Sequence, residues 1–271
     1  MTKFSQTYPT DLKYTEWTLI EQFFPTPKRG RRRKWERWQI VNAILYVTRT
    51  GGQWRMMPKD LPPWQTVYGY FRRWTLQGLW AQINAALVKH VRTQEGRQPE
   101  PSAAVIDSQS VKTSEGGEER GVDVHKQTPG RKRHIIVDTL GLLLMVVVHS
   151  ASLQDGLGGQ QTLQRLFDRI KRNVHNRWCR LKVIWADGAY RHLIDKVRQQ
   201  FGWTLEIVLR SDDVTGFQVL PRRWVVWVVE RTFGWLGRYR RLSRDFEHTC
   251  LSSEAMTYIA SIQRMLKLAT K

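Results

Sequence analysis

A chain of 271 residues can bury a sizeable core, and 44 Lys and Arg against 24 Asp and Glu leave a formal charge of +20 that asks for a polyanionic partner. The longest apolar run, Leu142 to Val148, is only strand-sized, and Met1 to Thr10 lacks the apolar centre of a signal peptide, so we expect a cytoplasmic protein without a membrane segment. Cys179 and Cys250 stand far apart without paired Cys/His spacing, against a zinc ribbon or disulfide framework, and Gly156, Gly158 and Gly159 form no phosphate loop, so no nucleotide cofactor is expected.

Tyr14, Trp17, Ile20 and Phe24 fall at helical spacing, and Pro25-Thr26-Pro27 stops that helix. Next comes a run of cations, Lys28, Arg29, Arg31, Arg32, Arg33 and Lys34, whose mutual repulsion is costly unless an anion such as DNA phosphate answers it. Trp38, Val41, Ile44 and Leu45 mark a second helix closed by Gly51-Gly52. Val67, Phe71 and Trp74 mark a third that starts near Pro63-Trp64, leaves Arg72 and Arg73 on another face and stops at Gly78. Trp80, Ile83, Leu87 and Val91 give a fourth. Helices two and three have the polarity of a helix-turn-helix pair, although Gly51 to Pro62 is longer than the compact turn. This predicts a small all-α domain over 1–95 and a polar linker over 96–102 carrying Pro99 and Pro101.

From residue 103 the period changes to that of strands. Ala103 to Val111 places Asp107 in mid-strand, where a carboxylate is disfavoured and needs a counter-charge. A Gly- and charge-rich stretch, Ser114 to Gly130, precedes a hairpin of Arg131 to Asp138 and Leu142 to His149, with Asp138 as a turn residue. A helix over Gln160 to Arg172, a strand over Leu181 to Trp185, a helix over Arg191 to Phe201 and a strand over Thr204 to Leu209 follow. Asp187 sits at the carboxyl end of its strand, the edge where α/β sheets bind ligands. Asp155 is expected either to cap the following helix or to stand near metal, and His134 and His149 to be packed or hydrogen-bonded. A helix through Glu230 puts Gly234, Gly237 and Arg241 on its face, two glycines that cost about 1 kcal/mol each and suggest close approach of something bulky. The order predicts an α/β fold over 103–271, a ribonuclease-H-like mixed sheet flanked by helices, with acids on its first and fourth strands and on a late helix.

Val105-Ile106-Asp107-Ser108-Gln109-Ser110-Val111-Lys112, Gly130-Arg131-Lys132-Arg133-His134, Asp138-Thr139-Leu140-Gly141, Trp185-Ala186-Asp187-Gly188-Ala189-Tyr190 and Val229-Glu230-Arg231-Thr232-Phe233-Gly234-Trp235-Leu236 together resemble bacterial insertion-sequence DDE transposases of family five. Lys28-Arg29-Gly30, Leu45-Tyr46-Val47, Trp54-Arg55, Pro58-Lys59-Asp60 and Phe71-Arg72-Arg73-Trp74 resemble that family's helical DNA-binding domain. The resemblance implies a transposase that binds the terminal inverted repeats of its own element and target DNA as a homodimer. It implies Asp107, Asp187 and Glu230 as the catalytic carboxylates holding two Mg²⁺ or Mn²⁺ ions. It also implies a bacterial, nucleoid-associated location. Phosphate contacts are expected from the basic run and from Arg72, Arg73, Lys112, Arg131, Lys132, Arg133, Arg238 and Arg241.

One departure stands out. Trp224-Val225-Val226 is repeated at once as Trp227-Val228-Val229, whereas the family shows one such triplet. Three residues turn a helix by about 300°, which rotates Arg222 and Arg223 relative to Glu230. The rival expectation is therefore an inactive or domesticated transposase-derived DNA-binding protein. The Tyr/Arg/Glu/Lys signature of related families is absent.

Overall fold

The computed structural model describes residues 4, 6–24, 34–114, 116–172, 180–208 and 221–271, without the side chains of 221–226. Four helices open the chain: α1 (Tyr14–Ile20), α2 (Arg37–Thr50), α3 (Trp64–Leu76) and α4 (Leu79–Gln94). They bury the expected stripes of Trp17 and Ile20, of Val41, Ile44 and Leu45, of Val67, Phe71 and Trp74, and of Trp80, Ile83, Leu87 and Val91. Tyr14, by contrast, is 63% exposed. Gly51 ends α2 with φ 74°, a left-handed cap that a side chain disfavours. A short 3₁₀ turn, Trp54–Met56, lengthens the connection to α3.

The second part is one six-stranded sheet built of β1 (Ala103–Lys112), β2 (Gly121–Asp123), β3 (Thr128–Asp138), β4 (Leu143–Ser150), β5 (Val183–Ala186) and β6 (Thr204–Ile207). β1 is central, antiparallel to β3 on one side and parallel to β5 on the other, with β6 parallel beyond β5. β4 pairs with β3 over Arg131–Val137, and β2 pairs with Thr128–Gly130. Helices α5 (Asp155–Arg172), α6 (Ile194–Phe201), α7 (Pro221–Gly237), α8 (Arg240–Ser243) and α9 (Cys250–Ala269) complete the chain. This is the ribonuclease-H-like order expected from the sequence, with four differences. β2 lies inside the stretch expected to be loop, α5 starts at Asp155 rather than Gln160, α7 ends at Gly237 so that Arg241 falls on the separate α8 instead of the Glu230 helix face, and α9 was not anticipated.

Helix α9 explains how the parts are joined. It packs against α1, α2, α3 and α4 as well as β4, so the hydrophobic core runs without a break from the helical region into the sheet. Polar groups cross the same boundary: Asn84 Nδ2 donates to Leu143 O (2.6 Å) and Gln263 Nε2 to Thr10 O (2.9 Å). Arg92 forms a buried ion pair with Asp138. Asp138 Oδ1 also accepts from the N–H groups of Leu140 (2.9 Å) and Leu142 (2.8 Å), which is the turn role expected of it.

Candidate active site

Strand register places the first two acids. Val105 of β1 lies beside Trp185 of β5, and continuing these parallel strands by two residues sets Asp107 beside Asp187, on the same side of the sheet. Asp187 is exposed, one residue past β5, and caps a 3₁₀ turn, Gly188–Leu193, by accepting from Ala189 N (3.0 Å). Asp107 is half-buried and accepts from Ser108 N (2.6 Å). Burial first, and then the negative charges of Asp187 and Asp155, raise its carboxyl from 3.8 to about 6 against the opposing Ser108 N–H and Lys126 charge.

Glu230 is exposed on α7, which packs against β1. Val228 and Val229 are buried on the helix's inner side. Arg231 Nη2 donates to Leu140 O (3.1 Å) and Thr232 Oγ1 lies 3.1 Å from Gly141 O, pinning α7 to the β3–β4 turn. Arg231 also lies between the rings of Trp227 (4.2 Å) and Trp235 (4.4 Å). Among the described residues, no three His, Cys, Asp or Glu side chains stand close enough to hold a metal ion. The site thus contains a carboxylate pair, and Glu230 is not gathered with it. A pair nonetheless fits a hard divalent cation: Mg²⁺ is commonly held by one or two carboxylates, with water and substrate phosphate completing its shell.

The other face of β1 carries a network that the sequence did not disclose. Directly opposed residues of antiparallel strands share a face, so Ser108 and His134 point one way, and Asp107, Ile135, Gln109 and Arg133 the other. Ser108 Oγ donates to Asp155 Oδ1 (2.9 Å), the first residue of α5, and Lys132 Nζ lies 3.0 Å from the same carboxylate. Asp123 accepts from Ser110 Oγ and sits 3.4 Å from Lys132 Nζ. Burial alone would raise the Asp123 carboxyl, but Ser110, the Lys126 N–H and Lys132 outweigh it and hold it at about 2. Tyr190 is buried among these acids; burial, then Asp107, Asp155 and Asp187, push its phenol well above 10.

His134 and His149 are bonded to each other, Nδ1 to Nε2 at 2.8 Å, with Ser150 O (2.8 Å) and Asp155 O (3.1 Å) at the two ends. Two neutral rings bring two N–H groups to three contacts. Burial, followed by His149, lowers His134 from 6.5 to about 3. The glycine cluster now has its reason. A Cβ on Gly156 would meet His192 Cε1 at 1.9 Å, on Gly158 the His149 Nε2 at 2.4 Å, and on Gly159 the Tyr190 Cε1 at 2.3 Å. α5 can enter beside the site only because these three positions are bare. Gly158→Ala is expected to lower stability in denaturant unfolding by about 1–3 kcal/mol, the usual range for overpacking; an unchanged midpoint would refute the close approach.

Several expected phosphate contacts are corrected. Arg131, Lys132 and Arg133 are 0%, 4% and 2% exposed, and Arg241 is 6% exposed. Arg131 donates to Glu247 O and His248 O (2.8 Å each) and to Glu118 O, Lys132 faces Asp123 and Asp155, and Arg133 Nη1 donates to Leu242 O (2.7 Å). Arg241 holds Glu247 Oε1 (2.7 Å) and Gly52 O (3.0 Å), tying α8 to the end of α2. These four bind the protein to itself, because strand alternation and the cover of α5, α8 and α9 leave them no solvent face. Lys34, Arg72, Arg73, Lys112 and Arg238 are exposed. Lys28, Arg29, Arg31, Arg32 and Arg33 lie outside the described residues.

Comparison with known proteins bears on this geometry. A family described as "putative transposase of IS4/5 family" matches residues 12–84, and the family described as "transposase DDE domain" matches residues 98–257. The uncharacterized 16.2 kDa protein of insertion element IS402 from Burkholderia cepacia is 30% identical over 130 residues, 45% of this chain and 84% of that protein. Uncharacterized protein y4sN of Sinorhizobium fredii is 28% identical over 79 residues, 29% of this chain and 63% of its own length. No solved structure matches. Among the described residues no helix is long and apolar enough to cross a membrane. Because the DDE domain spans more than half of the chain and includes the strands that carry Asp107 and Asp187, with the IS4/5 region before it, the chain belongs to the IS4/5 family of DDE transposases and its function is that of a DNA transposase.

Proposed function

We propose that the protein binds the terminal inverted repeats of its own element as a homodimer, cleaves their strands and joins them to target DNA, using Mg²⁺ or Mn²⁺ held by Asp107, Asp187 and Glu230. The observation that carries this reading is the position of Asp107 on β1 and Asp187 directly after the parallel β5, two residues beyond the Val105–Trp185 pair on each strand, with the Asp107 carboxyl already raised to about 6 by burial and the charge of Asp187. Such a pair is electrostatically incomplete and gains most from a cation. DDE domains generally use divalent metal ions. When bound, such ions supply an activated water at neutral pH and neutralise charge on a phosphodiester.

The chain's own residues do the rest. The cap on Ala189 N orients Asp187, and Ser108 N–H orients Asp107. Glu230 is presented from a helix pinned at Arg231 and Thr232, and it would complete the ligand set together with DNA phosphate. The helical region through residue 95 would engage the repeats, with Arg72, Arg73 and the run from Lys28 to Lys34 on phosphates, while Lys112 and Arg238 would contact DNA near the carboxylates.

The rival reading, a DNA-binding remnant, rests on the repeated Trp-Val-Val triplet. Because α7 runs unbroken from Pro221 and is pinned beyond Glu230, the extra triplet moves Pro221 and Arg222 outward by about 4.5 Å and 300° rather than moving Glu230. The test is nicking and strand transfer on DNA carrying the element's ends, with Mg²⁺ or Mn²⁺ against EDTA. Metal-dependent products are expected; end binding without any cutting would favour the remnant.

A further inference from the structure

A cleft of about 360 Å³ opens between the last residues of β1 and the α7–α8 turn. Gln109, Lys112 and Thr128 of the sheet and Gly237, Ser243 and Arg244 around the α7–α8 turn are among the residues that line it. We propose that this cleft seats a DNA backbone phosphate neighbouring the scissile one, with Lys112 and Arg244 as its cationic contacts and the Gln109 amide as a hydrogen-bond donor. The proposal rests on the transposase reading and adds to it a substrate subsite.

Position is the first argument. Gln109 follows Asp107 by two residues on the same face of β1, so the cleft begins about 7 Å from the catalytic carboxylate, on the scale of the spacing between neighbouring phosphates of one strand. Charge is the second. The described lining holds two cations and no carboxylate. Arg133, the buried cross-strand partner of Gln109, donates to Leu242 O beneath the cleft, and its charge is answered by Asp245 and Glu247, so the cleft's own two cations are left for a ligand.

Rigidity is the third argument. Asp245 N donates to Lys112 O (2.8 Å), and Ser114 N to Asp245 O (3.0 Å). Arg244 holds Thr113 O through Nε (3.2 Å) and Nη2 (3.0 Å), which fixes its guanidinium at the lip. The walls are therefore stitched together before any ligand arrives. Space is the last. A Cβ at Gly237 would meet nothing within 4 Å, so no internal packing requires glycine at this end of α7, and the bare backbone leaves the cleft open.

The test uses duplexes carrying the element's end, each with one neutral methylphosphonate at a single position flanking the cleavage site. Binding is measured in EDTA, where cutting is not needed, and cleavage is measured with Mg²⁺. For the wild type, neutralising one flanking phosphate should weaken binding about tenfold, the scale of one charge-assisted contact. Lys112→Ala and Gly237→Leu should each bind the unmodified end more weakly and lose sensitivity at that position while keeping it elsewhere. A Cβ at Gly237 meets nothing within 4 Å, and the unfolding midpoint of Gly237→Leu checks that the fold persists; Arg244 is left intact because it also holds Thr113. Variants that keep the wild-type pattern at every phosphate would overturn the proposal. Binding with the expected pattern but without cutting would remove the catalytic reading and leave the subsite standing, and a wild type that binds no ends would overturn both.

Discussion

Asp107→Ala, Asp187→Ala and Glu230→Ala are each expected to lower metal-dependent cleavage of end DNA by about 10²–10³-fold, the scale on which one preorganised electrostatic contact to a reacting centre acts, while end binding in EDTA stays within a few-fold. The reason for the split is spatial. Asp107 lies in the middle of β1, Asp187 directly after β5 and Glu230 on α7, whereas the exposed Arg72 and Arg73 stand on α3. Asp187 also caps a turn through Ala189 N, so its alanine variant should lose some stability. Asp187→Asn retains an acceptor for that N–H and separates the two effects. If Glu230→Ala cuts as well as the wild type, Glu230 is not part of the site, and the failure of Asp107, Asp187 and Glu230 to form a three-acid cluster becomes the decisive observation.

Asp107→Asn should make the metal-free protein more stable at pH 7 while abolishing cleavage. The Asp107 carboxyl rises from 3.8 to about 6 on folding, and each pKa unit is about 1.4 kcal/mol, so keeping it ionised costs the fold up to about 3 kcal/mol. The native state then binds more protons than the unfolded chain between about pH 4 and 6, and wild-type stability falls as pH rises through that window. Asparagine carries no such charge, so its advantage is full above about pH 6 and vanishes below about pH 4. In thermal denaturation with EDTA the variant should melt roughly 5–10 °C higher at pH 7 and level with the wild type at pH 4. Saturating Mg²⁺ should narrow the gap by stabilising only the wild type. Equal melting at pH 7 would mean that Asp107 bears no electrostatic load.

Sequence reading located the two aspartates through local rules. An acid in mid-strand and another directly after a strand are both anomalies that a single chain displays, and the strand order then sets them side by side. The expected phosphate contacts fared otherwise. Arg131, Lys132 and Arg133 are consecutive cations on a strand, and a strand buried on both faces is invisible when its polar residues are answered by distant backbone, Glu118, His248 and Leu242 among them. The same limit hid α9. Most of its residues are buried, including Ser253, Thr257 and Gln263, so it shows no polar face and hence no clean helical period.

By itself the sequence determined the helical stripes, the alternation of the strands, their order, the positions of Asp107 and Asp187 within it and the basic surplus, because each follows from spacing or composition along the chain. Only the tertiary structure decided which cations face solvent, why Gly156, Gly158 and Gly159 must be bare, that the charge of Asp155 acts on Asp107 and both act on Tyr190, and that α9 joins the helical region to the sheet. Those properties depend on groups far apart in sequence competing for the same volume and the same hydrogen bonds, and no local pattern records the outcome of that competition.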